Sequence, residues 1–86
     1  MLTKKLSVDF TKFTDIDCVS GLINGNIAIS ISSKLNCDNL FKIQHFIREK
    51  FANVDSDSYL EPKMYSYSNT LIIEFPIMLT KKIYHV

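Results

Sequence analysis

Eighty-six residues carrying ten basic and nine acidic side chains have a near-zero net charge, which excludes a strongly basic stripe or an acidic nucleic-acid mimic as a reading of the total. A chain of this length is expected to be one domain, 1–86, burying only about 60–65% of the surface its unfolded form exposes. Most of its 47% hydrophobic residues are then needed for the core, and little is left to wall a deep catalytic cleft.

The basic residues are nine Lys and a single Arg, Arg48. Bidentate reading of guanine relies on Arg, so sequence-specific major-groove recognition is not expected. Lys in place of Arg, with abundant Ile and Asn, is the composition that AT-rich coding produces, and it points by association to a phage, a mobile element or an AT-rich bacterium. The start MLTKKLSVDF lacks the apolar run of a signal peptide, because Asp9 and Lys12 interrupt it. No stretch approaches the roughly 20 apolar residues of a membrane span, so no membrane contact is expected. Two cysteines, Cys18 and Cys37, are too few for a secreted disulfide scaffold, which favours a reducing cytoplasm.

In chain order, Leu6, Val8 and Phe10 alternate with Ser7 and Asp9, the pattern of a half-buried strand. Asn24-Gly25 is the strongest hairpin signal, because a type I′ turn needs φ > 0 at both central residues. A two-residue loop there pairs Ile23 with Asn26, Leu22 with Ile27, Ser20 with Ile29 and Cys18 with Ile31. Leu22, Cys18 and Ile16 then share a face with Ile27, Ile29 and Ile31.

Asn36-Cys37-Asp38 supplies a helix start, with Asn36 or Asp38 able to cap free N–H groups. The helix is expected from about Asp38 to Ala52. Leu40, Ile43, Ile47, Phe51 and Val54 form its core stripe, with Phe46 on the flank. Asn53 and the run Asp55-Ser56-Asp57-Ser58 read as a solvated loop.

A second hairpin is expected from Tyr59 to Pro76, turning at Ser68-Asn69. Its register pairs Met64 with Ile73 and Ser66 with Leu71 on one face. Tyr65 pairs with Ile72, and Lys63 with Glu74, on the other. Ile83 to Val86 reads as a short last strand. MLTKK occurs at residues 1–5 and again at 78–82, consistent with two similar strands lying side by side or with a copied terminus. The order of elements gives an α+β fold: a single helix packed on a mostly antiparallel sheet of about five strands, a hairpin–helix–hairpin core that also fits a β-grasp-like arrangement.

Chemistry-bearing motifs are few. With two glycines in the chain, no Gly-rich phosphate loop can be built. Cys18, Cys37, His45 and His85 are the nearest approach to a metal set, but no two are close in sequence, so neither metal nor cofactor is expected. Cys37 at a helix N-terminus has the setting that lowers a thiol pKa. His45 falls away from that first turn, and no orienting carboxylate is evident, so no catalytic residue is expected and the chain does not read as an enzyme.

Two surface features carry more weight. Phe41, His45, Arg48 and Ala52 fall at i, i+4, i+7 and i+11, opposite the core stripe, and an aromatic beside His and Arg is the composition of an interface anchor. On the second hairpin, Tyr65, Tyr67 and Ile72 lie on the face away from the core, and a homodimer through that face or edge would be an economical use of them. The expectation is a non-enzymatic protein-binding module: a small inhibitor, immunity protein or antitoxin of phage or mobile-element type, acting on a cytoplasmic protein partner through Phe41, His45, Arg48, Tyr65, Tyr67 and Ile72. The alternative is a weak, sequence-nonspecific RNA- or DNA-binding protein using a strand edge rich in Lys4, Lys5, Lys81 and Lys82.

Overall fold

The computed structural model describes residues 1–51 and 61–85. Seven elements follow in order: α1 (Leu2–Thr14), β1 (Val19–Ile23), β2 (Asn26–Ile31), α2 (Cys37–Phe51), β3 (Lys63–Tyr67), β4 (Thr70–Phe75) and α3 (Ile77–Tyr84). The four strands form one antiparallel sheet in the order β1-β2-β4-β3. The fold is α+β, but with three helices and four strands among the described residues, not one helix and about five strands. A β-grasp arrangement is not confirmed.

The two extra helices replace the two terminal strands. In α1 the inward side chains are Leu2, Leu6, Phe10 and Thr14, four residues apart, with Leu6 and Phe10 fully buried and Val8 exposed. The segment therefore follows helical spacing, not alternation. α3 repeats the device: Pro76 holds the N-cap position and its carbonyl accepts the Thr80 N–H at 3.0 Å, while its missing N–H costs the helix no bond, and Leu79 and Thr80 point inward. Both MLTKK copies are thus helical, with the first Leu of each turned toward the core. The two helices end alike, on Asp15 (φ 59°) and His85 (φ 56°) in the left-handed conformation. The buried hydroxyls of Thr14 and Thr80 bond back to the carbonyls of Phe10 and Pro76, at 2.7 and 2.9 Å.

Both hairpins have the expected register. Ile23 opposes Asn26, Leu22 opposes Ile27 and Ser20 opposes Ile29. Lys63 opposes Glu74, Met64 opposes Ile73, Tyr65 opposes Ile72 and Ser66 opposes Leu71. Asn24 and Gly25, like Ser68 and Asn69, all have positive φ, as two-residue type I′ loops require. Cys18 lies before β1 and so has no partner in the ladder, although it packs against the core.

β2 and β4 are the central strands, and Ile27, Ile29, Ile31, Leu71, Ile73 and Phe75 face the helices. α2 starts one residue earlier than expected, capped by the Asn36 side chain, which accepts from Asn39 N–H at 2.8 Å. Its buried stripe is Ile43, Phe46 and Phe51, with Ile47 half-buried and Leu40 exposed. This corrects the expected stripe, in which Phe46 was only a flank. α1 covers that flank of α2, so Phe46 is fully enclosed, its ring centroid 5.2 Å from Phe10 and 6.5 Å from Phe75. Ala52, Val54, the loop from Asn53 to Ser58, Tyr59 and Val86 lie outside the described residues.

Candidate functional site

Packing α1 against α2 leaves a row of rings on the side of the helices away from the sheet. Phe41, His45 and Arg48 are all exposed on one face of α2, as their spacing implies. Phe13, near the end of α1, closes the row: its centroid is 5.3 Å from His45, and His45 is stacked 6.2 Å from Phe41. Phe13 also meets Phe46 edge-on at 5.6 Å, so the surface row is anchored to the core through one ring. Phe41 is 68% and Phe13 42% exposed. Phe13 is the residue that sequence reasoning missed. Once α1 is known to be a helix, Phe13 falls three residues after the buried Phe10 but off the i, i+4 stripe, and that is the signal that could have found it.

Tyr65, Tyr67 and Ile72 lie on the opposite side of the molecule, on the sheet face that carries no helix. The six residues expected to contact a partner therefore lie on two surfaces, one on α2 and one on the sheet. On the sheet side, Glu74 accepts from Asn26 at 2.9 Å and from the Tyr65 hydroxyl at 3.2 Å. The Asn26 carbonyl accepts the Ile77 N–H at 3.1 Å, tying the sheet to the start of α3. Local desolvation and the Glu74 carboxylate raise the Tyr65 pKa. Ile72 is buried beside Tyr65, while Tyr67 is exposed.

The lysines sit on helices, which removes the lysine-rich strand edge expected from sequence. Lys4 and Lys5 lie on α1, Lys81 and Lys82 on the neighbouring α3. They line two separate shallow concavities. One, of about 480 Å³, joins Lys4 and Lys5 to Asp9 and Tyr84, and the other, of about 530 Å³, joins Lys81 and Lys82 to Met78 and His85. The wall of the first holds a polar tie that the sequence did not reveal. Asp9 Oδ2 accepts from the Tyr84 hydroxyl at 2.6 Å and from Lys50 Nζ at 3.2 Å, and Lys50 lies 5.9 Å from the centre of the Tyr84 ring.

Cys37 is exposed at the first residue of α2. Cys18 is half-buried beneath α1, near Thr11 Oγ1 at 3.7 Å, and burial pushes its thiol pKa up, the opposite of what a nucleophile needs. Among the described residues, no three His, Cys, Asp or Glu side chains are grouped to hold a metal ion, and no helix is long and apolar enough to cross a membrane. Comparison of the chain with protein-family models, with curated proteins and with solved structures finds no match.

Proposed function

We propose that this chain is a non-enzymatic protein-binding module. Its contact surface is the ridge Phe13–His45–Phe41, with Arg48 one helical turn further along α2. The observation that carries this reading is the contact of three exposed rings from two helices, His45 stacked on Phe41 and tilted against Phe13, with Phe13 held by the core ring of Phe46. Aromatic side chains and Arg dominate the energetics of protein interfaces. Rings already ordered by one another lose less freedom when a partner covers them. The module acts in the cytoplasm as a small inhibitor, immunity protein or antitoxin, by occluding the surface it covers. The Tyr65–Tyr67–Ile72 face is a second surface on the far side, outside the same contact.

The test compares Phe13→Ala with Phe41→Ala in one protein, and Lys81→Ala with Lys82→Ala in another, in nuclease-treated affinity capture from a host lysate followed by titration of the captured protein. Loss of a ring anchor typically costs about 1–4 kcal/mol, so the aromatic variant is expected to lose its partner. The lysine variant should bind within a few-fold of the parent, and the affinity should change little between about 50 and about 200 mM salt. A nuclease-sensitive partner whose log affinity falls with log salt at a slope near −3, as about four phosphate contacts to a single strand would give, and which survives loss of both rings, would replace this reading with nucleic-acid binding.

A further inference from the structure

Edge strands expose a row of unpaired N–H and C=O groups, which proteins usually blunt with charge, proline or a bulge. The β3 edge carries Lys63 and follows Pro62. The β1 edge has none of these devices. It reads Val-Ser-Gly-Leu-Ile, without a charge or a proline, and opposes β2 residue for residue without a bulge. Val19 is 71% and Leu22 67% exposed, on opposite faces of the sheet.

The turn fixes which main-chain groups point outward. A two-residue loop makes its flanking pair, Ile23 and Asn26, a hydrogen-bonded one. Antiparallel alternation then makes Gly21–Ala28 and Val19–Ser30 hydrogen-bonded as well. The N–H and C=O of Ser20 and Leu22 therefore point away from β2, and no described loop or side chain takes them up.

We infer that β1 pairs antiparallel with β1 of a second copy of this chain, about a twofold axis at Gly21. In this register Ser20 opposes Leu22 of the second copy and Leu22 opposes its Ser20. Each such pair exchanges two hydrogen bonds, so every outward group of the two residues is used once. All five residues of the strand are opposed. Val19 meets Ile23 of the second copy on the open face, and on the helix face Leu22 reaches Leu22 of the second copy across the diagonal.

A Cβ at Gly21 would meet nothing within 4 Å in its own chain, so on the open face each copy leaves space beside the axis. The strand carries no charge, so the twofold brings no like charges together. A second copy is favoured over β1-to-β3 pairing because the twofold closes on itself, whereas a head-to-tail edge contact propagates as a filament. The product is a continuous eight-stranded sheet with all helices on one side and two aromatic ridges displayed together. A five-residue edge falls well below the roughly 1,600 Å² of a standard interface, so the dimer is weak and depends on concentration.

Sedimentation of the whole chain from about 10 to about 500 µM spans the range in which so small an interface assembles. The mass is expected to rise from 9.9 kDa toward twice that value. Over the same range the amides of Ser20 and Leu22 should gain about tenfold or more in hydrogen-exchange protection. Val19→Lys and Leu22→Lys, both at exposed positions, should each stay monomeric with an unchanged circular dichroism spectrum, while Tyr67→Lys on the other edge should dimerise like the parent. A mass fixed at that of one chain overturns the proposal. So does a dimer whose Ser20 and Leu22 amides exchange freely, or one that survives both β1 substitutions and fails with Tyr67→Lys. If one β1 variant does not fold, the other and the exchange pattern of the parent still decide.

Discussion

Asp9 Oδ2 receives a hydrogen bond from α3 and an ion pair from α2 while its own backbone belongs to α1, so one carboxylate ties all three helices. Burial pushes its pKa up, but the hydrogen bonds from Tyr84 and Lys50, with the charges of Lys50 and Lys12, outweigh this and hold it below the ordinary carboxylate value. Burial and the same carboxylate raise Tyr84. A carboxylate with a lower pKa folded than unfolded stabilises above its unfolded pKa of about 3.9, and that contribution is lost as pH falls through the folded value. A tyrosine with a raised pKa contributes fully below about pH 10 and loses the contribution only as pH rises through its folded value. Asp9→Asn is expected to cost about 1 kcal/mol at neutral pH, a modest figure because the group is partly exposed. The difference from the parent should close as pH falls through the lowered folded value. Thermal melts of both proteins at neutral and acid pH check this, and an equal gap at both would mean that the ionised charge of Asp9 is not what stabilises the fold. None of this was legible in the sequence, because Asp9 and Tyr84 are brought together only by the docking of the two chain ends.

The strands were readable and two of the helices were not, for a physical reason that α1 makes plain. Leu6 and Phe10 are four residues apart, a spacing that satisfies both a period of two and a helical turn. Over five residues only Val8 tells the two apart, and it is exposed. Extending the window to residues 2–14 resolves the ambiguity, because alternation would also turn Lys4 and Lys12 inward. The hairpins carry turn chemistry as well as alternation, and the two signals agree. The turns also differ in a way that can be measured. Asn24-Gly25 places a glycine at φ 81°, whereas Ser68-Asn69 holds two residues with side chains at 50° and 60°. Grafting the first turn onto the second, Ser68→Asn with Asn69→Gly, should stabilise by about 0.5–1 kcal/mol, because the preferred I′ pair adopts positive φ with less strain. Gly25→Val should cost more than about 1 kcal/mol, since a β-branched residue resists positive φ. Chemical denaturation of the two variants checks both signs, and a graft that lowers stability would show that Ser68 and Asn69 are held by more than turn geometry.

On the scale of the whole molecule, the two halves αββ and αββ repeat. β2 and β4 have the same succession of half-buried and buried positions. Shifting β2 by 44 residues superposes Ile27, Ile29 and Ile31 on Leu71, Ile73 and Phe75, and the observed pairs Ile27–Phe75, Ile29–Ile73 and Ile31–Leu71 are those that a local twofold through Ile29 and Ile73 generates. The equivalence explains why the candidate site was only partly legible. Register within a hairpin placed Tyr65, Tyr67 and Ile72 on one face, and spacing within α2 placed Phe41, His45 and Arg48 on another. Both faces read as turned away from the core, but neither pattern could say that Phe13 of α1 completes the second. The axis pair offers the sharpest measure of the symmetry, because Ile29 and Ile73 are directly opposed and both fully buried. Ile29→Val and Ile73→Val should each cost about 1 kcal/mol, the usual loss for one buried methylene. The two costs should agree to within about 0.5 kcal/mol, and the double variant should depart from their sum by about that much or more, since residues in direct contact share the space left behind. Equilibrium unfolding of the two single variants and the double variant measures all three quantities. Costs differing by more than about 1 kcal/mol would show that the two halves share a backbone plan but do not pack the core equally.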